Sequence, residues 1–356
     1  MLYSLALVMI VRDEARCIER CLASARPWVD TMLVLDTGSR DDTVARARRA
    51  GAQVHHFTWV DDFAAARNAA LALCDADWRL VLDADEWIES GAECLASLRN
   101  TEARFIGQVC VSSQFGRGGD ESPSWLPRVL PRAVRYSGRI HEQPDVSVPR
   151  QRLSLVVGHD GYLDQHQWAK TGRNERLLRR ALAENPQDPY VRYQLAKDLE
   201  LRGGFDAAVP LYEQAHAQVE PHAPWRHDLV LRLIFSLKKL GRHAQAMLLV
   251  ERELPHWAHS PDFFFTLGDL LLDWAASEPQ RGPALLPSIE AAWLQALSIG
   301  ENAALNDTVR GRGSYLAAHN LAVLHATLGD EAQAQAWRER ERHLRQARPA
   351  RAHVSA

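Results

Sequence analysis

The chain has only five cysteines (Cys17, Cys21, Cys74, Cys94 and Cys110), and none forms a C-x-x-C pair or joins histidines at zinc-ligand spacing. The pattern therefore disfavours a disulfide framework or a structural zinc as the basis of the fold, and a reducing cytoplasm is the expected home. Cys17 and Cys21, one helical turn apart, are expected to pack on a buried face. Long Lys/Arg runs are also missing and the formal net charge is −3. A general electrostatic grip on nucleic acid or on acidic membranes is thus not implied. No apolar run reaches the roughly twenty residues of a bilayer span. The opening MLYSLALVMIV has neither a basic leader nor a small-residue cleavage site and reads as a buried first strand. Neither G-x-G-x-x-G nor G-x-x-x-x-G-K-[ST] occurs, which argues against a Rossmann dehydrogenase or a P-loop enzyme. What remains is an ordinary globular composition, 46% hydrophobic and 24% charged, in 356 residues with room for two or three domains.

From Ser4 to about Cys110, short apolar runs alternate with helical patterns. SLALVMIV, TMLVLD, AQVHHF and WRLVLD read as strands, with helices over 15–26, 41–50 and 62–74 between them. That alternation predicts βαβ units and a mostly parallel sheet covered on both faces. Residues 112 to 150 carry Gly and Pro punctuation (FGRGGDESPSW, SWLPRVLP, RYSGRI), which predicts loops and an irregular or antiparallel extension. From about Gln165 onward the pattern is helical, placing a domain boundary at 165/166.

The helical half contains a repeat. Leu-x7-Gly-x4-Ala occurs at Leu195-Gly203-Ala208, at Leu233-Gly241-Ala246 and at Leu321-Gly329-Ala334. The spacing puts a core leucine on one helix, a tight turn at Gly, and a small residue on the next helix where two helices approach closely. A degraded fourth copy, FTLGDLLLDWA, has its turn replaced by the insertion SEPQRGPALLP. With Tyr212 and Ala215 added, these residues resemble tetratricopeptide repeats over roughly 185–343. An unrelated helical bundle is the alternative.

Asp-x-Asp, a common device for holding a divalent cation against a diphosphate, occurs twice, at Asp75-Ala76-Asp77 and at Asp83-Ala84-Asp85. The strand between them is about 3.3 Å per residue, so Asp77 and Asp83 stand roughly 20 Å apart and one metal cannot use both copies. In open α/β sheets ligands bind beyond the carboxyl ends of the parallel strands, which selects Asp83 and Asp85 and makes Asp77 structural. The other strand ends run into Arg12-Asp13-Glu14, Asp36-Thr37-Gly38-Ser39 and Asp61-Asp62, so four acidic groups converge on one edge. For Asp13 or Ser39 alone, helix capping explains the residue equally well. Together the groups suit displacement of a nucleoside diphosphate, with Mg²⁺ or Mn²⁺ bridging phosphate oxygens and neutralising the leaving group.

The segment from LALVMIVRDE to VLDADEW resembles the GT-A glycosyltransferases of family 2 over residues 4–90. The order VRDE, LDTGSRDDT, DFAAARN, LDADE, RIHEQ and HDGY, followed by helical repeats, is similar to the branch that includes SunS-type peptide S-glycosyltransferases and related protein glycosyltransferases. The resemblance implies an α/β GT-A domain (1–165) ahead of an all-α tetratricopeptide-like domain (166–350). It also implies inverting transfer from a nucleotide sugar, a UDP-sugar above all, with Mn²⁺ or Mg²⁺. Carried over by position, Val11, Arg12 and Glu14 would border the nucleotide, Asp36 would contact the uridine, and Thr37, Gly38 and Ser39 would form its turn. Arg67 and Asn68 would face the donor near the diphosphate. Asp83 and Asp85, around Ala84, would hold the metal.

Transfer needs a base for the acceptor's proton, or an acceptor already ionised. Glu142 in RIHEQ is the candidate base and Asp120 in RGGDES its rival. His141 and His159 are each candidates for a further metal contact or a phosphate hydrogen bond. Trp125 and Arg128 are placed to contact sugar or diphosphate, and Tyr162 to pack over the site. The expected partner is a protein or peptide acceptor docked on the repeats, which also offer a surface for a homodimer. A glycan or lipid-linked saccharide acceptor is the second reading, and a non-catalytic nucleotide-sugar-binding scaffold the third.

Overall fold

The computed structural model describes residues 2–115, 120–159, 167–302 and 304–347, with backbone alone for 113–115, 120–123 and 167–171. Two compact units are present, one ending at Glu184 and one beginning at Asn185.

In the first unit β1 (Leu5–Val11), β2 (Thr31–Asp36), β3 (Gln53–His56) and β4 (Trp78–Val81) lie parallel in the order β3-β2-β1-β4. The helices between them are α1 (Ile18–Ala25), α2 (Thr43–Arg49) and α3 (Phe63–Ala72). Side chains alternate across a strand, and β1 is apolar at every position because both of its faces are covered. Leu5, Leu7, Met9 and Val11 pack with Ile18, Cys21 and Leu22 of α1, whereas Ala6 and Val8 pack with Ala64, Ala70 and Leu71 of α3. Cys17 and Cys21 are buried in the first of these cores.

Past β4 the chain turns at Asp83–Asp85 into β5 (Glu86–Ser90), a strand absent from the sequence reading. After α4 (Glu93–Leu98) come β6 (Ile106–Phe115) and β7 (Asp120–Pro131), an antiparallel pair. β8 (Tyr136–Ser137) and β9 (Gln143–Pro144) form a small separate hairpin, and β10 (Arg150–His159) returns to the main sheet. The full order is β3-β2-β1-β4-β7-β6-β10-β5, so β5 joins the far edge through β10 rather than pairing with β4.

Helix α5 (Gln167–Glu184) belongs to the first unit, which moves the division from 165/166 to 184/185. Its side chains explain why. Arg176 grips both oxygens of Asp61 at 2.6 and 2.9 Å, and Glu184 accepts from Arg139 at 2.7 and 2.8 Å.

The second unit is a series of helical hairpins: α6 (Pro189–Glu200) with α7 (Phe205–Gln218), α8 (Arg226–Lys239) with α9 (His243–Trp257), α10 (Pro261–Ser277) with α11 (Gly282–Ile299), and α12 (Tyr315–Thr327) with α13 (Glu331–Gln346). The repeated glycine sits at the turn of three hairpins with φ of 79°, 68° and 80° at Gly203, Gly241 and Gly329. A left-handed conformation is costly for any residue with a Cβ, which is the reason for the spacing. The paired Ala208, Ala246 and Ala334 have no exposed surface. In the α10–α11 hairpin the insertion at 277–287 is not a loop. It forms a 3₁₀ turn (Pro279–Arg281) and the start of α11, lengthening both helices of that hairpin.

Candidate active site

Because β1, β2, β3 and β4 run parallel, their carboxyl ends share one edge. The loops there are laced together by short polar side chains. Thr37 donates through both its amide and its hydroxyl to the Val11 carbonyl, at 2.9 and 3.0 Å. The Asp36 carboxylate is buried and accepts from the amides of Gly38 (3.2 Å) and Ser39 (3.1 Å), with His56 Nδ1 at 3.4 Å. Gly38 takes φ 110°, which closes this turn. The Asp13 amide donates to Ser39 Oγ (3.0 Å), and Asp13 Oδ1 accepts from the Arg40 amide (2.7 Å). The Glu14 amide donates to Thr43 Oγ1 (2.7 Å) and its carboxylate accepts from the Cys17 thiol at 3.2 Å. Asp13, Asp61 and His141 all hold positive φ, near 55°, on non-glycine residues of this region, a strain characteristic of functional sites.

The third strand's acidic pair does not join the others. Asp62 caps α3 by accepting from the Ala65 amide at 2.8 Å, and Asp61 is tied to Arg176 and to the Trp59 indole. Both are consumed by the fold, so the convergence is carried by the ends of β1, β2 and β4.

At the end of β4 the structure assembles a chain of alternating charge. Leu80 pairs with Val129, so Arg128 on β7 lies one residue farther toward the carboxyl end of β4. There it donates to Asp83 Oδ2 at 2.9 Å and pairs with Glu86. Arg67 of α3 donates to Asp83 Oδ1 at 2.7 Å and pairs with Glu142, which the β8–β9 hairpin brings in. The order is Glu142, Arg67, Asp83, Arg128, Glu86. Both arginines are buried. Burial alone would raise the Asp83 carboxyl, but Arg67 and Arg128 outweigh it and hold the group far below the usual carboxylate range. Burial moves Glu86 the other way, upward, and the Asp83 charge adds to it. Tyr136, under Arg67 at 5.6 Å, is pushed up to about 12 by burial.

With both oxygens of Asp83 taken by arginines, Asp85 is the carboxylate of the turn that meets a histidine. Its Oδ2 lies 3.5 Å from His159 Nε2. The β10–β5 register makes this contact, because His159 stands opposite Glu86. Burial opposes protonation of His159, and the hydrogen bond to Asp85 together with the nearby carboxylates raises its pKa despite that. Among the described residues no group of three His, Cys, Asp or Glu side chains could hold a metal alone. One carboxylate and one imidazole nonetheless suit a Mg²⁺ or Mn²⁺ ion whose remaining positions are filled by phosphate oxygens and water.

Other expected site residues are placed differently. The Asn68 side chain is held by backbone: its amide donates to the Tyr136 carbonyl and accepts from the Tyr136 amide, each at 2.8 Å, pinning β8 to α3. Arg128 is a partner of carboxylates, Trp125 stacks with Arg152 at 4.5 Å, and His141 is exposed. The Asp120 side chain and all of Tyr162 lie outside the described residues. Asp77 accepts from the Ser4 amide (2.9 Å) and hydroxyl (2.8 Å) at the opposite end of β4. Glu86 and Tyr136 were missed. Glu86 adjoins the Asp-x-Asp segment and could have been weighed, whereas nothing local marks Tyr136.

Residues 6–147 match the model of glycosyl transferase family 2. The first unit carries a family 2 glycosyltransferase domain. A TPR repeat-containing protein of Synechococcus elongatus is 36% identical over 252 residues, 66% of this chain and 62% of that protein. The SPbeta prophage-derived glycosyltransferase SunS of Bacillus subtilis is 25% identical over 263 residues, 69% of this chain and 62% of that protein. The chain thus spans a little over three fifths of the length of these two relatives. Among solved structures, glucosyl-3-phosphoglycerate synthase from Mycobacterium tuberculosis with Mn²⁺, UDP and glucosyl-3-phosphoglycerate is 25% identical across 32% of this chain and 46% of that one. Its TM-score of 0.27 is too low to argue from. In the described residues no helix is long and apolar enough to cross a membrane.

Proposed function

We propose that the protein transfers a sugar from a nucleoside-diphosphate sugar, with inversion, to a protein or peptide acceptor engaged by the helical repeats. The observation that carries this reading is the division of labour at the end of β4: Asp83 is neutralised by two arginines while Asp85 stands beside His159 in the same turn. In this reading the Thr37–Ser39 turn and Asp36 receive the nucleotide, and Asp85 with His159 holds the divalent cation. That cation supplies charge neutralisation for the departing diphosphate.

Glu142, first expected as the base, holds Arg67 in place. Arg67 and Arg128 keep the Asp83–Glu86 turn rigid, so that the metal-binding carboxylate is oriented before the donor arrives.

The test is incubation of the purified protein and Mn²⁺ with a panel of UDP-, dTDP- and GDP-sugars. One donor should be bound and slowly hydrolysed, and cellular protein exposed to the enzyme and that donor should gain a hexose mass. Failure to bind any donor would refute the reading. Mass gain on glycan alone would leave the transfer and overturn the acceptor.

A further inference from the structure

We infer that helix α5, which lies beyond the residues matched to the family 2 domain, completes the donor site by presenting Arg173 to the diphosphate of the nucleotide. The inference rests on the donor reading above and adds a residue that the domain match does not contain.

Helix α5 is pinned beside the strand ends by Arg176 on Asp61 and by Glu184 on Arg139. Arg173 lies about 5 Å back along the helix from Arg176, at 1.5 Å per residue. Its guanidinium stands 5.2 Å from the Phe63 ring centroid, and its charge is felt by Arg12 and Glu14 in the loop after β1. The other arginines of this region are neutralised: Arg67, Arg128, Arg139 and Arg176 each hold one or more carboxylates. Among the described residues Arg173 donates to the side-chain oxygen of Asn174, at 3.2 and 3.3 Å. No carboxylate is bonded to it among the described residues. Arg12 lies 3.9 Å from Asp13, beyond hydrogen-bonding distance.

The like charges of Arg12 and Arg173, neither hydrogen-bonded to an acid among the described residues, repel one another. Burial, followed by the Arg12 charge, makes Arg173 harder to keep protonated. An anion between them relieves that repulsion and uses the guanidinium geometry, which matches phosphate oxygens. The anion brought to this edge by a nucleotide in the Asp36 to Ser39 turn is its diphosphate.

The experiment is calorimetric titration of the full chain in Mn²⁺ with UDP, and with GDP and dTDP, alongside the matching nucleosides measured by competition. Arg173→Gln should weaken the diphosphate on the order of ten- to a hundredfold, as expected for one charged hydrogen-bonding contact, and leave the nucleoside unchanged. Arg173→Lys should recover part of the loss, and Arg180→Gln, an exposed change on the same helix, should bind as the parent does. Equal melting temperatures establish that α5 stays docked. Unchanged diphosphate affinity in Arg173→Gln overturns the inference, as does an equal loss for nucleoside and diphosphate, which assigns Arg173 to the base or ribose. If the parent protein takes up none of the three diphosphates, the donor reading itself fails, a result distinct from parental binding that survives in the variant.

Discussion

Asparagine substituted singly at Asp85 and at Asp77 separates the two Asp-x-Asp segments by opposite phenotypes. Asp77 lies at the amino end of β4, where its carboxylate accepts from the Ser4 amide and hydroxyl at 2.9 and 2.8 Å. A hydrogen bond to a charged acceptor is worth about 1 kcal/mol more than one to a neutral acceptor. The site is half-buried, so Asp77→Asn should cost about 1–2 kcal/mol of stability. The Ser4 hydrogen bonds hold the Asp77 carboxyl below its ordinary value. Its contribution is therefore complete above the unfolded carboxyl's pKa of about 4 and disappears as the pH falls through the folded value. The difference between parent and variant should accordingly shrink in acid. Asp85→Asn removes one negative charge from a turn that also holds Asp83 and Glu86, so stability should move by no more than about 1 kcal/mol. Mn²⁺-dependent nucleotide binding should fall at least about a hundredfold, because loss of a ligating carboxylate costs no less than loss of an outer-shell partner. Urea denaturation at pH 7 and near pH 3 reads the first effect, and calorimetric titration with Mn²⁺ and nucleotide reads the second. Equal loss of binding in both variants, or parental binding in Asp85→Asn, would refute the placement of the site.

Three further outcomes follow from the charge chain and the repeat. Arg67→Met leaves Glu142 buried without its cation and should destabilise the first unit by about 3–5 kcal/mol, measured as a lower urea midpoint. Glu142→Gln should lower turnover yet keep the acid limb of the pH–rate profile; disappearance of that limb would return Glu142 to the role of base. Gly241→Ala forces a Cβ into a left-handed turn at φ 68° and should cost about 1–2 kcal/mol in thermal unfolding, with nucleotide binding unchanged.

Much of this architecture was legible because its signals are local. The strand and helix alternation up to Cys110, the apolar run of β1 and the Leu-Gly-Ala spacing each follow from steric and burial rules acting over a few residues. The glycine turns at 203, 241 and 329 are the clearest case, since a single backbone angle explains the recurrence. The choice of Asp83 and Asp85 over Asp75 and Asp77 came from strand direction alone, and the parallel pairing of β1 with β2 and β4 puts the later pair at the carboxyl end. β5 was not legible, because its register is set by β10, about seventy residues away in sequence. Nor was the commitment of Asp61 to Arg176, or of Asn68 to the Tyr136 backbone.

The sequence by itself determined which elements form and which end of each strand could bear chemistry, because periodicity and chain direction are properties of neighbouring residues. Tertiary structure decided which of the charged residues gathered there neutralise one another. Arg67, Arg128, Glu142 and Asp83 meet only when α3, β7 and the β8–β9 hairpin pack around β4. An ion pair depends on distance in space, which no spacing in the chain records.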